Sequence, residues 1–455
     1  MIQHTHIVGI GGAGMSAIAQ LLLERGDQVS GCDRALTPIT AHLAASGATI
    51  SVGHSAAHLA TVDRLLVTSA LPADHSELAA ARERGIPVLT RHDLWREWSR
   101  QRAVVAISGT HGKTTTSAMT ALILTHAGLQ PGYLIGATVP ALGGSATWGS
   151  GPLVIEADEY ARTFLALTPQ VAVITNLDWD HVDIYPTQAE YDAAFRQFAT
   201  QPTTSAHHQR HPLILCGDDA GVQRVLGDLP ATRCGLDTGN DWRATALVPR
   251  DGGMVFTVER GDTTLGEIWL GVSGEHNVRN ALLALAAADY YAVPFAVAAA
   301  ALGHYGGAAR RFEAKGSAGG ISVFDDYAHH PTEIRATLAA ARGRFPGQRI
   351  VVYFQPHTYS RLEAFSSDFS AAFELADVVR IGAVYAARES SAGPDPTTQI
   401  VAAMKHPDAQ AVGDLDGAFA SLRTALQPGD VLLTLGAGDG VEVGERIIAT
   451  REQDL

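Results

Sequence analysis

Gly109-Thr110-His111-Gly112-Lys113-Thr114 has the residue types and spacing of a phosphate cradle. An apolar run at 103–107 precedes it and reads as a buried strand; a helical stretch follows from 115 to about 128. In such a strand–loop–helix unit, loop N–H groups point at phosphate oxygens and the helix dipole adds positive potential. Lys113 supplies a point charge for the outer phosphates, and the Thr114 hydroxyl can sit on Mg²⁺. The loop is the shorter G-T-x-G-K-T variant, because Ile107 stands where the usual first Gly would be. Of 33 Lys plus Arg, only Lys113, Lys315 and Lys405 are lysine, so a Lys kept at the phosphate turn points to its chemistry.

Two acidic groups follow apolar runs downstream of this loop. Glu156-Ala157-Asp158-Glu159 closes the run at 153–156, and Asp178-Trp179-Asp180-His181-Val182-Asp183 follows the run at 171–175. Carboxylates and a His at the carboxyl ends of parallel strands lie where such sheets bind ligands. They could hold Mg²⁺ directly or through water. His276 and Asn277 stand before a long Ala/Leu helix at 281–290, where they could face a base or ribose, or cap the helix. Near the N-terminus, Gly9-Ile10-Gly11-Gly12-Ala13-Gly14 matches G-x-G-x-x-G between a strand at 6–10 and a helix at 15–25. Asp33 ends the next strand, placed to meet a ribose hydroxyl. Alone, that motif would also suit an NAD-dependent oxidoreductase.

The elements that position these groups fall into three α/β segments. The first covers 1–100, with further strands at 49–52, 64–68 and 87–89. The second, 103–308, holds the phosphate loop; within it, the His-rich stretch at 200–211 reads as a plain surface loop. The third, 310–455, follows a Gly-rich hinge at 303–307, with strands at 321–325, 349–354, 378–381 and 431–435. Its strand ends carry Asp325-Asp326-Tyr327-Ala328-His329-His330-Pro331, Gln355-Pro356-His357-Thr358-Tyr359-Ser360-Arg361 and Gly436-Ala437-Gly438-Asp439. The His329-His330 pair has no third soft ligand beside it, so no zinc is expected there.

A chain of 455 residues is too long for one core. Its 46% hydrophobic and 18% charged content suit a soluble globular protein. A net charge of −14 argues against non-specific nucleic-acid or membrane binding. Cys32, Cys216 and Cys234 are widely spaced and match no metal motif, which suits a reducing cytoplasm. No apolar run is long enough for a bilayer span, and no signal core precedes the first strand.

Taken in order, Gly11-Gly12-Ala13-Gly14-Met15, the phosphate loop, the Glu156 cluster, Asp180-His181, His276-Asn277, Asp326 to Pro331, Phe354-Gln355-Pro356-His357 and Gly436 to Asp439 resemble the Mur ligases over nearly the whole chain. The resemblance implies three domains: a Rossmann-like UDP-sugar domain, a central P-loop-type ATPase and a Rossmann-like C-terminal domain that closes over the site. It implies ATP and Mg²⁺ as cofactors and amide synthesis through an acyl phosphate. UDP-N-acetylmuramate and L-alanine are the implied substrates; a member that adds a whole tripeptide in murein recycling is the alternative. Gly109, Thr110, His111, Gly112, Lys113, Thr114 and Thr115 would cradle ATP, with Asn277 at adenine and Arg311 and Asp326 arriving on closure. Thr114, Glu156 and His181 match the metal positions. Gly11, Gly12, Ala13, Gly14 and Asp33 would meet the UDP-sugar; Tyr327, His330, His357 and Arg361 would surround the incoming amine. A cationic Arg361 would suit an amino-acid carboxylate.

Three positions depart from the alanine-adding pattern. Thr358 replaces an Arg, Ala328 replaces a Gly, and Ala161 stands where Asp is common. Ala328 and residues 180–186 are closer to the tripeptide-adding pattern, whereas Phe354-Gln355-Pro356-His357 favours alanine. Arg388 is a second cation that could replace the charge missing at Thr358.

Overall fold

The computed structural model describes residues 2–68, 71–201, 212–387, 389 and 396–453. Arg388 and most of the predicted loop at 200–211 lie outside them. Three sheets organise the described residues, each built from its own stretch of sequence.

The first sheet has five parallel strands in the spatial order Thr49–Val52, Gln28–Asp33, His4–Val8, Arg64–Leu66, Val88–Leu89. The order reverses beside His4–Val8, and ligands bind at the carboxyl ends of strands at such a switch point. The first strand stops at Val8 rather than Ile10, because Gly9 has φ +70° and starts the turn.

The central sheet has ten strands. Its middle is parallel: Leu153–Glu156, Val104–Ser108 and Val171–Ile174 lie side by side. Every residue of Val104–Ser108 is buried, as a β-branched, two-sided core strand requires. One flank is an antiparallel meander, Trp242–Arg250, Gly253–Arg260 and Thr263–Leu270, which sequence patterning did not reveal. The helix after the phosphate loop, Lys113–His126, is almost wholly buried against the helix Glu275–Tyr290.

The third sheet runs Glu313–Ala318, Ile321–Asp326, Val431–Leu435, Ile350–Phe354, Val378–Gly382, Ala409–Gly413. Only the first strand is antiparallel. The carboxyl ends of its central strands face the carboxyl ends of the central sheet, as the contacts below record.

Candidate active site

The phosphate loop is shaped by two glycines and pinned by two neighbours. Gly109 has φ +129°, and a side chain there would overlap Thr175 Oγ1. Gly112 has φ +80° and immediately precedes the helix Lys113–His126; its missing Cβ leaves room for Asn280. His111 N donates to Asn176 Oδ1 at 2.8 Å, and Asn176 Nδ2 donates back to His111 O at 2.9 Å. The Thr110 hydroxyl meets Tyr191 Oη at 2.7 Å.

Lys113 folds over this loop. Its Nζ donates to Gly109 O at 2.6 Å and Thr110 O at 2.9 Å, and lies 2.9 Å from Glu159 Oε2. Burial opposes the ammonium, but the Glu159 and Asp158 carboxylates outweigh it and raise the Lys113 pKa. Glu159 is fully buried and was not singled out from its acidic cluster as a site residue. Burial pushes its pKa up, and Lys113 and His181 more than reverse this, so it stays ionised. Glu156 is the opposite case: burial prevails over Gly136 N and Lys113, and its pKa rises.

The three expected metal positions are divided between two groups. Thr114 Oγ1 lies 3.0 Å from Glu156 Oε1. His181, at φ +53°, instead places Nε2 3.3 Å from Glu159 Oε1, and it forms a cluster with Asp158 and Glu159. The two groups are linked by Lys113, which bonds Glu159 from the residue preceding Thr114.

A cavity of about 600 Å³ opens beside the loop, between the second and third sheets. Gly112, Thr115, Asn277, Arg311 and Asp326 all line it. Asn277 and His276 are not caps: the helix begins at Glu275 behind Gly274, so both lie in its first turn. Asn277 Nδ2 donates to Ser273 O at 2.7 Å. Burial lowers the His276 pKa to about 4, so it faces the cavity neutral. Arg311 reaches across from the third segment to Thr114 Oγ1 at 3.3 Å, with its guanidinium 5.2 Å from the Tyr327 ring centre. Asp326 accepts from Phe312 N and Ala328 N, both at 2.8 Å; burial raises its pKa to about 6.

Other expected contacts have different partners. Arg361 is buried and forks onto Asp180, with Nε and an outer nitrogen at 2.9 and 3.1 Å from its two oxygens. Its remaining nitrogen meets His357 Nδ1 at 3.1 Å. A guanidinium buried this deeply must be paired, and a protein carboxylate supplies the pair. His330 is 3% exposed and caps the helix Pro331–Arg344. Asp33 does not project outward: its Oδ2 accepts from Gly11 N at 2.8 Å and holds the Gly-rich turn. A side chain at Gly14 would collide with the Arg91 guanidinium, so Arg91 sits over the start of the helix Ala13–Glu24. Local sequence marks Glu159 and Asp178 only as members of their acidic groups, and nothing local marks Arg91.

Three family profiles match in succession: Mur ligase family, catalytic domain over 4–103; Mur ligase middle domain over 107–288; and Mur ligase, glutamate ligase domain over 310–438. The UDP-N-acetylmuramate–L-alanine ligase of Roseiflexus castenholzii is 53% identical, covering 97% of this chain and 96% of that one. The crystal structure of UDP-N-acetylmuramate-alanine ligase MurC from Thermotoga maritima covers 100% of both chains with a TM-score of 0.82 and 29% identity. A murein peptide ligase from Psychrobacter arcticus covers 98% of both with a TM-score of 0.71 and 26% identity. These matches leave no place for the oxidoreductase reading of the first glycine motif. With all three segments matched in order around one phosphate loop, the chain belongs to the Mur ligase family.

Proposed function

We infer that this protein is an ATP-dependent ligase that joins L-alanine to the lactyl carboxylate of UDP-N-acetylmuramate in peptidoglycan synthesis, working in the cytoplasm. The supporting observation is the full-length likeness to the Roseiflexus alanine ligase, combined with Gly112 and Thr115 of the phosphate loop lining one cavity with Arg311 of the third segment. The substrate carboxylate attacks the γ-phosphorus of ATP and ADP leaves. The alanine amine then attacks the acyl carbon of the acyl phosphate, and phosphate leaves.

Loop amides from Gly109 to Thr115 would hold the phosphates, and Lys113 would exchange its loop carbonyls for the γ-phosphate oxygens. Arg311 would add charge from the opposite domain once that domain has closed. Asn277 and neutral His276 would border the adenine side of the cavity. The Thr114–Glu156 pair suits Mg²⁺: their oxygens are 3.0 Å apart, the edge expected between neighbouring ligands of an octahedral ion at about 2.1 Å. Asp158, Glu159 and His181 would serve a second ion. Bound magnesium would screen the repulsion between ATP and the substrate carboxylate. The turn at Gly11 to Gly14, held by Asp33 and covered by Arg91, would take the diphosphate of the UDP-sugar.

The test is phosphate release with UDP-N-acetylmuramate, ATP and Mg²⁺ against a panel of free amino acids and the tripeptide. L-alanine should give the highest kcat/KM. The tripeptide reading rests on Ala328 and the Psychrobacter likeness, and faster turnover of the tripeptide would put it first.

A further inference from the structure

A second polar centre lies in the first sheet, away from the phosphate loop. Glu77 opens the helix Ser76–Glu83 and is 0% exposed. Among the described residues, no Arg or Lys pairs with it. Its neighbours include His6 from the strand His4–Val8, Cys32 from the strand Gln28–Asp33, and His58 from the short turn Ala56–Leu59. Glu77 Oε1 lies 2.6 Å from His58 Nδ1 and 3.7 Å from His6 Nε2, and Oε2 lies 3.1 Å from Cys32 Sγ. All four donor atoms fall within 4.8 Å of one another.

We propose that His6, Cys32, His58 and Glu77 form a tetrahedral site for one divalent zinc-type ion that fixes the sugar-nucleotide end of the first domain. One thiol, two imidazoles and one carboxylate form a borderline-soft donor set that suits zinc. Zinc–ligand distances of about 2.0–2.3 Å place neighbouring donors about 3.3–3.6 Å apart, inside the range seen here. The strongest single observation is His6. It is 1% exposed, and its Nε2 has no hydrogen-bond partner although it faces Glu77. Its other nitrogen, Nδ1, is held by Ser30 Oγ at 2.8 Å. A ring with one nitrogen tied and the other bare and aimed at acidic and sulfur donors is oriented as a metal ligand is. Ser55 N donates to Glu77 Oε1 at 3.1 Å and orients the carboxylate in turn. His54, whose Nδ1 lies 3.1 Å from Cys32 Sγ and 3.6 Å from Glu77 Oε2, stands with His75 at the more open side and gives an ion a route in.

Binding would release the Cys32 thiol proton to solvent and replace the Cys32–Glu77 contact with two bonds to the ion. The consequence reaches the Gly-rich turn. Cys32 O accepts from Gly9 N at 2.9 Å and Ile10 N at 3.2 Å, and the next residue, Asp33, holds Gly11 N. An ion on Cys32 therefore anchors the strand end on which that turn is built.

The experiment is cobalt titration of the chelator-treated full-length protein. One equivalent should bind, with the intense visible absorption of tetrahedral cobalt and a thiolate charge-transfer band, and zinc should displace it. Cys32→Ser should lose the band and Cys216→Ser should keep it, each with native circular dichroism. Ser30→Ala, which frees the second nitrogen of His6, should weaken binding about 10–100-fold. The KM for the UDP-sugar should rise in metal-free protein, with kcat less affected. Folded wild-type protein without a cobalt spectrum would overturn the site. So would a charge-transfer band that survives in Cys32→Ser, or loss of the spectrum in His54→Ala with retention in His58→Ala. If Cys32→Ser does not fold, the His58→Ala and Ser30→Ala titrations decide.

Discussion

Arg361 and Asp180 form a buried, two-pronged ion pair between the third and second segments, at 2.9 and 3.1 Å. Asp180 follows the strand Val171–Ile174 of the central sheet, and Arg361 follows Ile350–Phe354 of the third. The pair therefore exists only while the two segments are closed on each other. Burial opposes the Asp180 charge, and Arg361 and His181 hold its pKa well below the usual range. Arg361 is thus a clamp between domains in this structure, not a free receptor for an amino-acid carboxylate.

Asp180→Asn should open the clamp. Breaking one side of a buried pair costs about 3–5 kcal/mol, which is a hundredfold or more in the closure equilibrium. The variant should show a larger radius of gyration by small-angle scattering and a kcat/KM reduced for every substrate. If Arg361 instead binds the amino acid directly, Arg361→Lys will raise the KM for L-alanine alone and leave the shape unchanged.

Lys113→Ala should lower kcat by about 10²–10³, the usual loss when one preorganised donor is removed from developing charge. Lys113→Arg should also fail. The ammonium fits between two carbonyl oxygens and Glu159 within 3 Å, and a planar guanidinium does not pack into that space. Near-normal turnover in the Ala variant would remove Lys113 from phosphoryl transfer.

What the sequence revealed was mostly local. The phosphate loop, its strand and helix, and the acidic strand ends are contiguous words, and the structure places Asn277, Arg311 and Asp326 around one cavity with Thr115. What it hid was long-range. Nothing near Arg361 says that Asp180 will meet it, and nothing near Glu159 says that Lys113 and His181 will. The cluster around Glu77 is the clearest case. Cys32 matches no spacing motif because its neighbours come from another strand, a turn and a helix. The antiparallel meander was missed for another reason: Trp242–Arg250 is mostly exposed along its second half and carries no clean alternation.

Thr358 should be a strained position. Its backbone has φ +67° and ψ 142°, a region that a β-branched residue avoids and Gly occupies freely. Such strain costs about 1–3 kcal/mol. Thr358→Gly should therefore raise the melting temperature by several degrees, where Thr358→Ala should gain little. An unchanged or lower melting temperature for the Gly variant would show that the unfolded-chain entropy of Gly outweighs the strain.

The last prediction concerns His111, whose two ring nitrogens each face a carboxylate. Nδ1 is 3.1 Å from Glu333 Oε1, and Nε2 is 3.1 Å from Asp178 Oδ2. Only an imidazolium can donate from both nitrogens. Burial opposes that charge, and Glu333 and Asp178 outweigh it, raising the pKa from 6.5 to about 9. Neighbouring His330, 5.0 Å away between ring centres, is shifted down by burial and by His111 itself, so it does not compete for the proton. Asp178 belongs to the second segment and Glu333 to the helix Pro331–Arg344 of the third, so the charged ring bridges the closed form. The sign follows from the direction of the shift. The native pKa lies above the unfolded value, so the stabilisation is complete below about pH 6.5 and is lost as pH rises to about 9. A rise of that size corresponds to roughly 3 kcal/mol. Melting temperature should therefore fall between pH 6.5 and 9, and His111→Asn should be less stable at pH 6.5 but nearly flat across the same window. Equal slopes in the two proteins would show that the bridge carries no proton of its own.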